Sequence, residues 1–373
     1  MGIAKLKLFK IRGGVHPSEN KHATAGSKIT SIGLSKRLFI PLQQHIGAPA
    51  SPIVKRGDKV LKGQLLANSQ GMISAPVHAP TSGKVIAISK YPALHASGLP
   101  VRTVIIEPDG EDKIAELSTP AKDPFSLDPE EIAARVAAAG IVGMGGATFP
   151  SAVKLNLRKR HQLETLVINA AECEPYLTCD DQLMREQANE IIDGISIMMH
   201  ALQVKNSIIG IEANKPEAIT AMETASKQVS NITVVTVPVH YPMGSEKHMV
   251  QTLTGKETPA RALTADIGVV VHNVATAHAV HQCIRHGLPL IERVVTVSGG
   301  AIKNPGNYMV PIGTSVSALI EIAGGFTTEP ARIIAGGPMM GQPITETKAP
   351  IVKGSGGILA LTEKESAQKQ TMP

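Results

Sequence analysis

From Asp128 onward, short dense apolar runs alternate with longer stretches in which apolar residues recur at helical spacing. Thr165-Leu166-Val167-Ile168, Ser207 to Ile211, Ile232 to Val237 and Ile267 to Val271 have strand length and strand composition. Leu183 to Leu202, Lys215 to Val229 and Val274 to His286 read as helices between them. This alternation predicts an α/β domain with a largely parallel sheet. Its first helix is announced by Asp128 as N-cap, Pro129 at the first helical position and Glu131 three residues after the cap. Ile132, Val136 and Ala137-Ala138-Ala139 form its apolar side, and Gly140 is placed to stop it.

The flanking regions have different patterns. Between Ile53 and Ile88, short β-rich runs are separated by Gly57-Asp58, Lys62-Gly63 and Ser82-Gly83 turns, which predicts a small all-β unit. The order of these turns resembles a lipoyl or biotinyl barrel-sandwich domain. Such carriers present a lysine at a hairpin tip. The tip here, Ser69-Gln70-Gly71-Met72-Ile73, has none, so a structural or docking module is expected. Beyond Arg293, the strand Val294 to Val297, the turn Asn304-Pro305-Gly306-Asn307, the helix Val316 to Ala323 and the strand Ile333-Ile334 follow in the order of a β-grasp unit. The polar tail from Glu363 to Pro373 is expected to lie outside any core.

Composition narrows the functional classes. Aromatic residues make up 2% of the 373 residues, too few for the stacking platforms of single-stranded nucleic-acid binding. The net charge of +6 is dispersed in short clusters such as Lys5-Leu6-Lys7, Lys55-Arg56 and Arg158-Lys159-Arg160, so no nucleic-acid stripe is read. No apolar run reaches membrane-spanning length, and lysines interrupt Met1 to Gly14, unlike a secretory leader. Cys173, Cys179 and Cys283 form neither a disulfide framework nor a CxxC pair.

Three stretches could carry chemistry. Gly143, Gly145 and Gly146 crowd a loop ending in Phe149-Pro150, where bare backbone N–H groups can close on an anion. Pro150 can open a helix that carries Lys154 one turn in. The second stretch, Asn169 to Pro175, places Asn169, Glu172 and Glu174 at the carboxyl end of a buried strand, where open α/β sheets bind ligands. An amide and two carboxylates there suit a neutral ring and ribose hydroxyls, whereas Asp180 and Asp181 read as helix caps. The third is the strand ending in His272-Asn273, where Asn273 can bind a ligand or cap the next helix. His278 and His281 share a face of that helix without an acidic partner at clear spacing, so no metal site is expected. Cys173, flanked by two glutamates, has its thiolate disfavoured and is not read as a nucleophile.

Together, Gly143 to Pro150, Asn169 to Pro175 and Tyr241-Pro242-Met243-Gly244-Ser245-Glu246-Lys247 resemble the C subunit of the Rnf-type ion-translocating NADH:ferredoxin oxidoreductase. His45 to Ala50, Ser74 to Gly83 and Gly336-Gly337-Pro338-Met339-Met340-Gly341 extend the resemblance nearly end to end. That family shares its central domain with the flavin subunit of respiratory complex I. The resemblance implies an N-terminal segment (1–44), a non-carrier barrel-sandwich (45–122) and a Rossmann-like FMN- and NADH-binding α/β domain (123–290). A β-grasp domain of the soluble-ligand-binding type (291–345) and a linker and tail (346–373) complete the division. Residue by residue, Gly143, Gly145 and Gly146 match the loop behind the flavin, and Phe149 is one of few rings available to stack on it. Lys154 matches the lysine after the loop. Asn169, Glu172 and Glu174 match positions near the isoalloxazine and nucleotide, and Glu246 matches an acidic residue on the NADH side. Asn273 and Thr276 match the segment holding the FMN phosphate.

The implied activity is hydride transfer between NADH and FMN, then one-electron transfer to iron–sulfur clusters and ferredoxin. It would operate with iron–sulfur and integral membrane partner subunits, peripherally on the cytoplasmic face of a bacterial inner membrane. Thr148 stands where a glycine is common, and Ser245 replaces a glycine. The family's two Cys-rich motifs for 4Fe-4S clusters are absent before Pro373, so the chain reads as a fragment or as a form that uses a partner's cluster. Two alternatives remain open: a non-catalytic scaffold, as in the A subunit of the Na⁺-translocating NADH:quinone reductase, and a β-grasp ligand sensor. The complete glycine loop with Asn169 and Glu172 favours the enzyme, while Thr148 keeps the scaffold open.

Overall fold

The computed structural model describes residues 8–10 and 12–366; the Lys5-Leu6-Lys7 cluster and the tail beyond 366 lie outside them. Its central sheet is parallel throughout, in the order Ile232–Val237, Asn206–Glu212, Thr165–Ala170, Val269–Asn273. Leu166, Ile168 and Ala170 pack with apolar residues of helices Pro129–Ala138, Ala188–Leu202 and Val274–His286. Val167, Val269 and Val271 pack on the opposite face with Met249, Val250 and Leu253 of helix Glu246–Thr254. Strands covered on both faces read as continuous apolar runs, which is why they were visible in the sequence.

The long helix expected over Leu183 to Leu202 is two helices, Cys179–Glu186 and Ala188–Leu202, separated by Gln187 at φ −125°, ψ 29°. The second helix lies so close to Val274–His286 that a Cβ on Gly194 would stand 2.0 Å from the Ala277 carbonyl oxygen. The break lets the first helix turn toward the strand ends while the second keeps this contact.

The barrel-sandwich consists of two small antiparallel sheets. One runs Leu38–Pro41, Pro100–Pro108, Gly83–Pro92, Lys59–Val60, and the other Ser51–Pro52, Leu65–Asn68, Val77–His78. Leu38, Ile40, Leu66, Val85, Val104 and Ile106 fill the space between them. This unit therefore begins before residue 45, because Leu38–Pro41 pairs within it and both Leu38 and Ile40 are fully buried.

A mixed six-stranded sheet follows, ordered Ile29–Ser31, Gly306–Pro311, Glu292–Ser298, Gly357–Leu361, Arg332–Ala335, Gln342–Pro343. Two of its strands come from stretches expected to lie outside it. Ile29–Ser31 belongs to the N-terminal segment and pairs in parallel with Asn307 to Met309. Gly357–Leu361, in the expected linker, is buried along its whole length between two neighbours. The glycines just before it conceal a strand that the sheet needs at its centre. Helix Val316–Ile322 packs on this sheet through Val316, Leu319 and Ile320. Among the described residues, no helix is long and apolar enough to cross a membrane.

Candidate functional site

The chain leaves Thr165–Ala170 for Asn206–Glu212 on one side and later adds Val269–Asn273 on the other. The topological switch point therefore falls between Thr165–Ala170 and Val269–Asn273, with Asn169 and Asn273 in register across it. The glycine loop lies over this point. It is closed by the Gly143 N–H donating to the Phe149 carbonyl at 2.8 Å and by a bridge between Val142 and Pro150. Gly145 and Gly146 are exposed, and a Cβ added at Gly145 would stand 3.2 Å from Asn273 Cβ. Gly146 has φ +107° and open space where a side chain would be.

Met144 fastens the loop from below. Its N–H donates to Thr276 Oγ1 at 3.0 Å, and its carbonyl accepts from Arg293 Nη2 at 3.5 Å. Thr276 is fully buried, so its hydroxyl holds the loop and is not presented at the surface. Arg293 is buried as well, donates to the Lys353 carbonyl, and carries no signal in the sequence because it only begins a strand. The helix expected after Pro150 is a five-residue turn, Ser151–Leu155, whose first N–H is already bonded to Ile141 O. It offers little to an anion. Phe149 is half-buried at the end of the loop.

Lys154 and Glu246, singled out separately, meet. Lys154 Nζ donates to Glu246 Oε2 at 2.9 Å and to the Val271 carbonyl at 3.0 Å. Thr264 Oγ1 donates to the other carboxylate oxygen at 2.7 Å. Asn169 Nδ2 donates to the Gly244 carbonyl at 2.7 Å, which ties the strand end to the same stretch. Ser245 is the N-cap residue of helix Glu246–Thr254, and its side chain makes no capping bond.

Glu172 turns inward, with φ +50°. Its carboxylate accepts the backbone N–H groups of Asp180 at 2.7 Å and Asp181 at 3.2 Å, so it caps the helix that Asp180 and Asp181 were expected to cap. Asp181 pairs with Arg185 instead, and Asp180 Oδ2 accepts from Asn273 Nδ2 at 2.6 Å. Asn273 Oδ1 in turn accepts the Ala275 N–H and caps the helix Val274–His286. Burial, with Glu172 alongside, pushes the Asp180 carboxyl up to about 7. Lys21, Lys215 and Arg293 supply positive charge around these acids. Among the described residues, Glu172, Cys179 and Asp180 are the one His/Cys/Asp/Glu trio close enough to share a metal ion. The carboxylates of that trio are already engaged by protein N–H donors.

Glu174 does not face the switch point with a free carboxylate. It accepts the N–H groups of Met339 (2.9 Å) and Met340 (2.8 Å) in the Gly336 to Gly341 turn of the six-stranded unit. His278 and His281 lie beside Glu190 (3.0 Å) and Asp193 (2.7 Å), acidic partners that come from a different helix. The Cys173 thiol is pushed up chiefly by burial, with Glu212 and Glu174 adding to it, as expected of an unreactive cysteine. Thr148 occupies the left-handed region at φ +48°, and a Cβ on Gly354 would meet its methyl at 2.5 Å.

Residues 136–282 match the Nuo51 FMN-binding domain family, residues 9–111 the RnfC barrel sandwich hybrid domain family, and residues 294–343 the SLBB domain family. The chain is 60% identical over 369 residues to the C subunit of the ion-translocating oxidoreductase complex of Rhodobacter capsulatus, covering 99% of this chain and 71% of that protein. It is 45% identical to the C subunit of the proton-translocating ferredoxin:NAD(+) oxidoreductase complex of Clostridium ljungdahlii, covering 96% and 78% respectively. The C subunit of the Na(+)-translocating ferredoxin:NAD(+) oxidoreductase complex of Acetobacterium woodii is 44% identical, with 98% and 82% covered. Among solved structures, the NAD+-reducing [NiFe]-hydrogenase in its H2-reduced state superposes with a TM-score of 0.54 at 22% identity, over 66% of this chain and 50% of that one. That likeness concerns the fold.

Proposed function

Because the chain belongs to the family of C subunits of ion-translocating oxidoreductase complexes, we propose that it is the NADH-oxidising, FMN-binding subunit of such a complex. The observation that carries this reading is the open backbone floor at Gly145–Gly146, set against Asn273 at the switch point of the parallel sheet. A Cβ at Gly145 would crowd the Asn273 side chain, and Gly146 faces open space, so bare backbone at this point leaves room for a flat ring. Asn273 caps a 13-residue helix by taking its Ala275 N–H, and the positive end of that helix dipole still favours an anion beside the loop.

Bound there, FMN would supply hydride acceptance from nicotinamide and one-electron release toward iron–sulfur clusters. Gly143, Gly145 and Gly146 leave room for it, and Asn169 and Asn273 fix the two strand ends. Thr276 and Arg293 hold the loop at Met144. Lys154 and Glu246 set the rim on the NADH side, and Phe149 closes the loop. Glu172 and Glu174 act through the backbone they fasten, while Asp180 can hold a proton next to Asn273. The six-stranded unit is assigned as a β-grasp domain that closes the site through its Gly336 to Gly341 turn. The expected partners are an iron–sulfur subunit and integral membrane subunits, with this chain peripheral on the cytoplasmic face of the inner membrane.

The test is an absorbance spectrum of the chain reconstituted with FMN, recorded before and after anaerobic NADH. A flavin spectrum bleached by NADH is expected. A chain that retains no FMN after gel filtration would refute the assignment.

A further inference from the structure

The loop Glu172 to Leu177, which follows the Asn169 strand end, is held in place by a distant part of the chain. Lys21 Nζ donates to three of its carbonyls, those of Glu172 (2.8 Å), Glu174 (2.9 Å) and Leu177 (2.5 Å). An ammonium has three N–H donors, and all three are spent on this one loop. The Tyr176 N–H donates to the Glu19 carbonyl at 2.8 Å, and Thr178 Oγ1 donates to Thr24 Oγ1 at 2.8 Å. Residues 19–24 therefore form a strap across the loop.

The loop needs such a strap. Glu172 at φ +50° and Tyr176 at φ +67° both sit in the left-handed region, which non-glycine residues keep only where their surroundings enforce it. Three carbonyls turned toward one point need donors there, and a charged donor bonds them most strongly. Lys21 is half-buried, and this burial disfavours its charge while Glu172 nearby favours it. Because Lys21 has no donor left over, it can act on a bound cofactor only through the loop.

We infer that Lys21 is a positioning residue of the cofactor site: its ammonium sets the 172–177 backbone so that Glu172 reaches the Asp180 and Asp181 amides and Glu174 reaches the Gly336 to Gly341 turn. The inference rests on the FMN reading above. It predicts that a residue far from the crevice in sequence controls cofactor affinity.

The experiment titrates FMN into the full chain by fluorescence quenching, for wild type, Lys21→Met, Lys21→Arg and Thr24→Val. Amide exchange at Asp180 and Asp181 is followed in the same proteins without cofactor. Lys21→Met removes the three donors at nearly constant length, and Thr24→Val cuts the strap's other side-chain tie. We expect Lys21→Met to weaken FMN binding at least tenfold and to speed exchange at Asp180 and Asp181. Thr24→Val should change the affinity less than threefold. Lys21→Arg keeps the charge, but a planar fork cannot serve three converging carbonyls, so it should bind more weakly than wild type. If Lys21→Met does not fold, Lys21→Arg decides the matter alone. Wild-type affinity in the lysine variants, or equal losses in Lys21→Met and Thr24→Val, would overturn the role of Lys21 and leave the FMN reading intact. A wild-type chain that binds no FMN would overturn both.

Discussion

Lys154 and Glu246, 92 positions apart, meet at 2.9 Å and join the turn after the glycine loop to the first residue of helix Glu246–Thr254. Their side chains are 25% and 43% exposed, so water screens the pair and its contribution to stability is under about 1 kcal/mol. Its value lies in geometry: Lys154 also holds the Val271 carbonyl, and Thr264 holds Glu246 from the other side. Glu246→Gln is therefore expected to move the urea midpoint very little while raising KM for NADH in the FMN-loaded chain. A stability loss well above about 1 kcal/mol would show that the pair carries the fold instead.

The buried carboxyl of Asp180 gives a pH signature. Its value is raised from 3.8 to about 7 by burial and by Glu172. The folded chain thus binds this proton more tightly than the unfolded chain does. The resulting stabilisation is fully present below about pH 4 and is lost as the pH rises toward 7. Asp180→Asn keeps an oxygen for Asn273 and removes the titration. In urea unfolding from about pH 4 to 8, the variant should gain on wild type progressively up to about pH 7. A difference that stays constant with pH would mean that Asp180 titrates as an ordinary carboxyl.

Glu172 is tested through the same group. Its carboxylate receives the Asp180 and Asp181 N–H groups at the start of an eight-residue helix, and replacing a cap of this kind typically costs about 1 kcal/mol. Glu172→Gln retains one acceptor oxygen and removes the negative charge beside Asp180. A stability loss of about that size is expected, together with a downward shift of the pH at which the Asp180 contribution disappears. Loss of stability with an unchanged pH profile would separate capping from charge coupling.

What could be read in the sequence was whatever is periodic or local. The four parallel strands are legible because burial on both faces leaves mostly apolar residues in them, and helix Val274–His286 because it follows such a strand with Asn273 at its cap position. The glycine loop, Asn169 and Asn273 were legible as candidate site residues because strand ends are where such a sheet binds ligands. The direction of a side chain was not legible. In the sequence Glu172 and Glu174 point to a ligand at the strand end, yet they serve backbone N–H groups at 180–181 and 339–340, partners fixed only by tertiary structure. Lys21 and Arg293 carry no local signal either, because the carbonyls of Glu172 and Lys353 that they bind lie far along the chain. The strand Gly357–Leu361 was hidden by the glycines before it and by its pairing with strands distant in sequence.

The contact between the six-stranded unit and the strand-end loop depends on a missing side chain. A Cβ on Gly337 would lie 2.2 Å from Glu174 Oε2 and 2.6 Å from Glu174 Cβ, closer than any real contact. Gly337→Ala must therefore push the Gly336 to Gly341 turn away and break the bonds from Met339 and Met340 to the Glu174 carboxylate. Overpacking of this kind costs about 1–3 kcal/mol. Glu174→Gln weakens the same two bonds without steric pressure, so the two substitutions act on one contact and their effects should not add. A double-mutant cycle in urea is expected to show a combined loss smaller than the sum by at least about 0.5 kcal/mol. Simple additivity would mean that the turn yields locally and that Glu174 keeps its partners when Gly337 is changed.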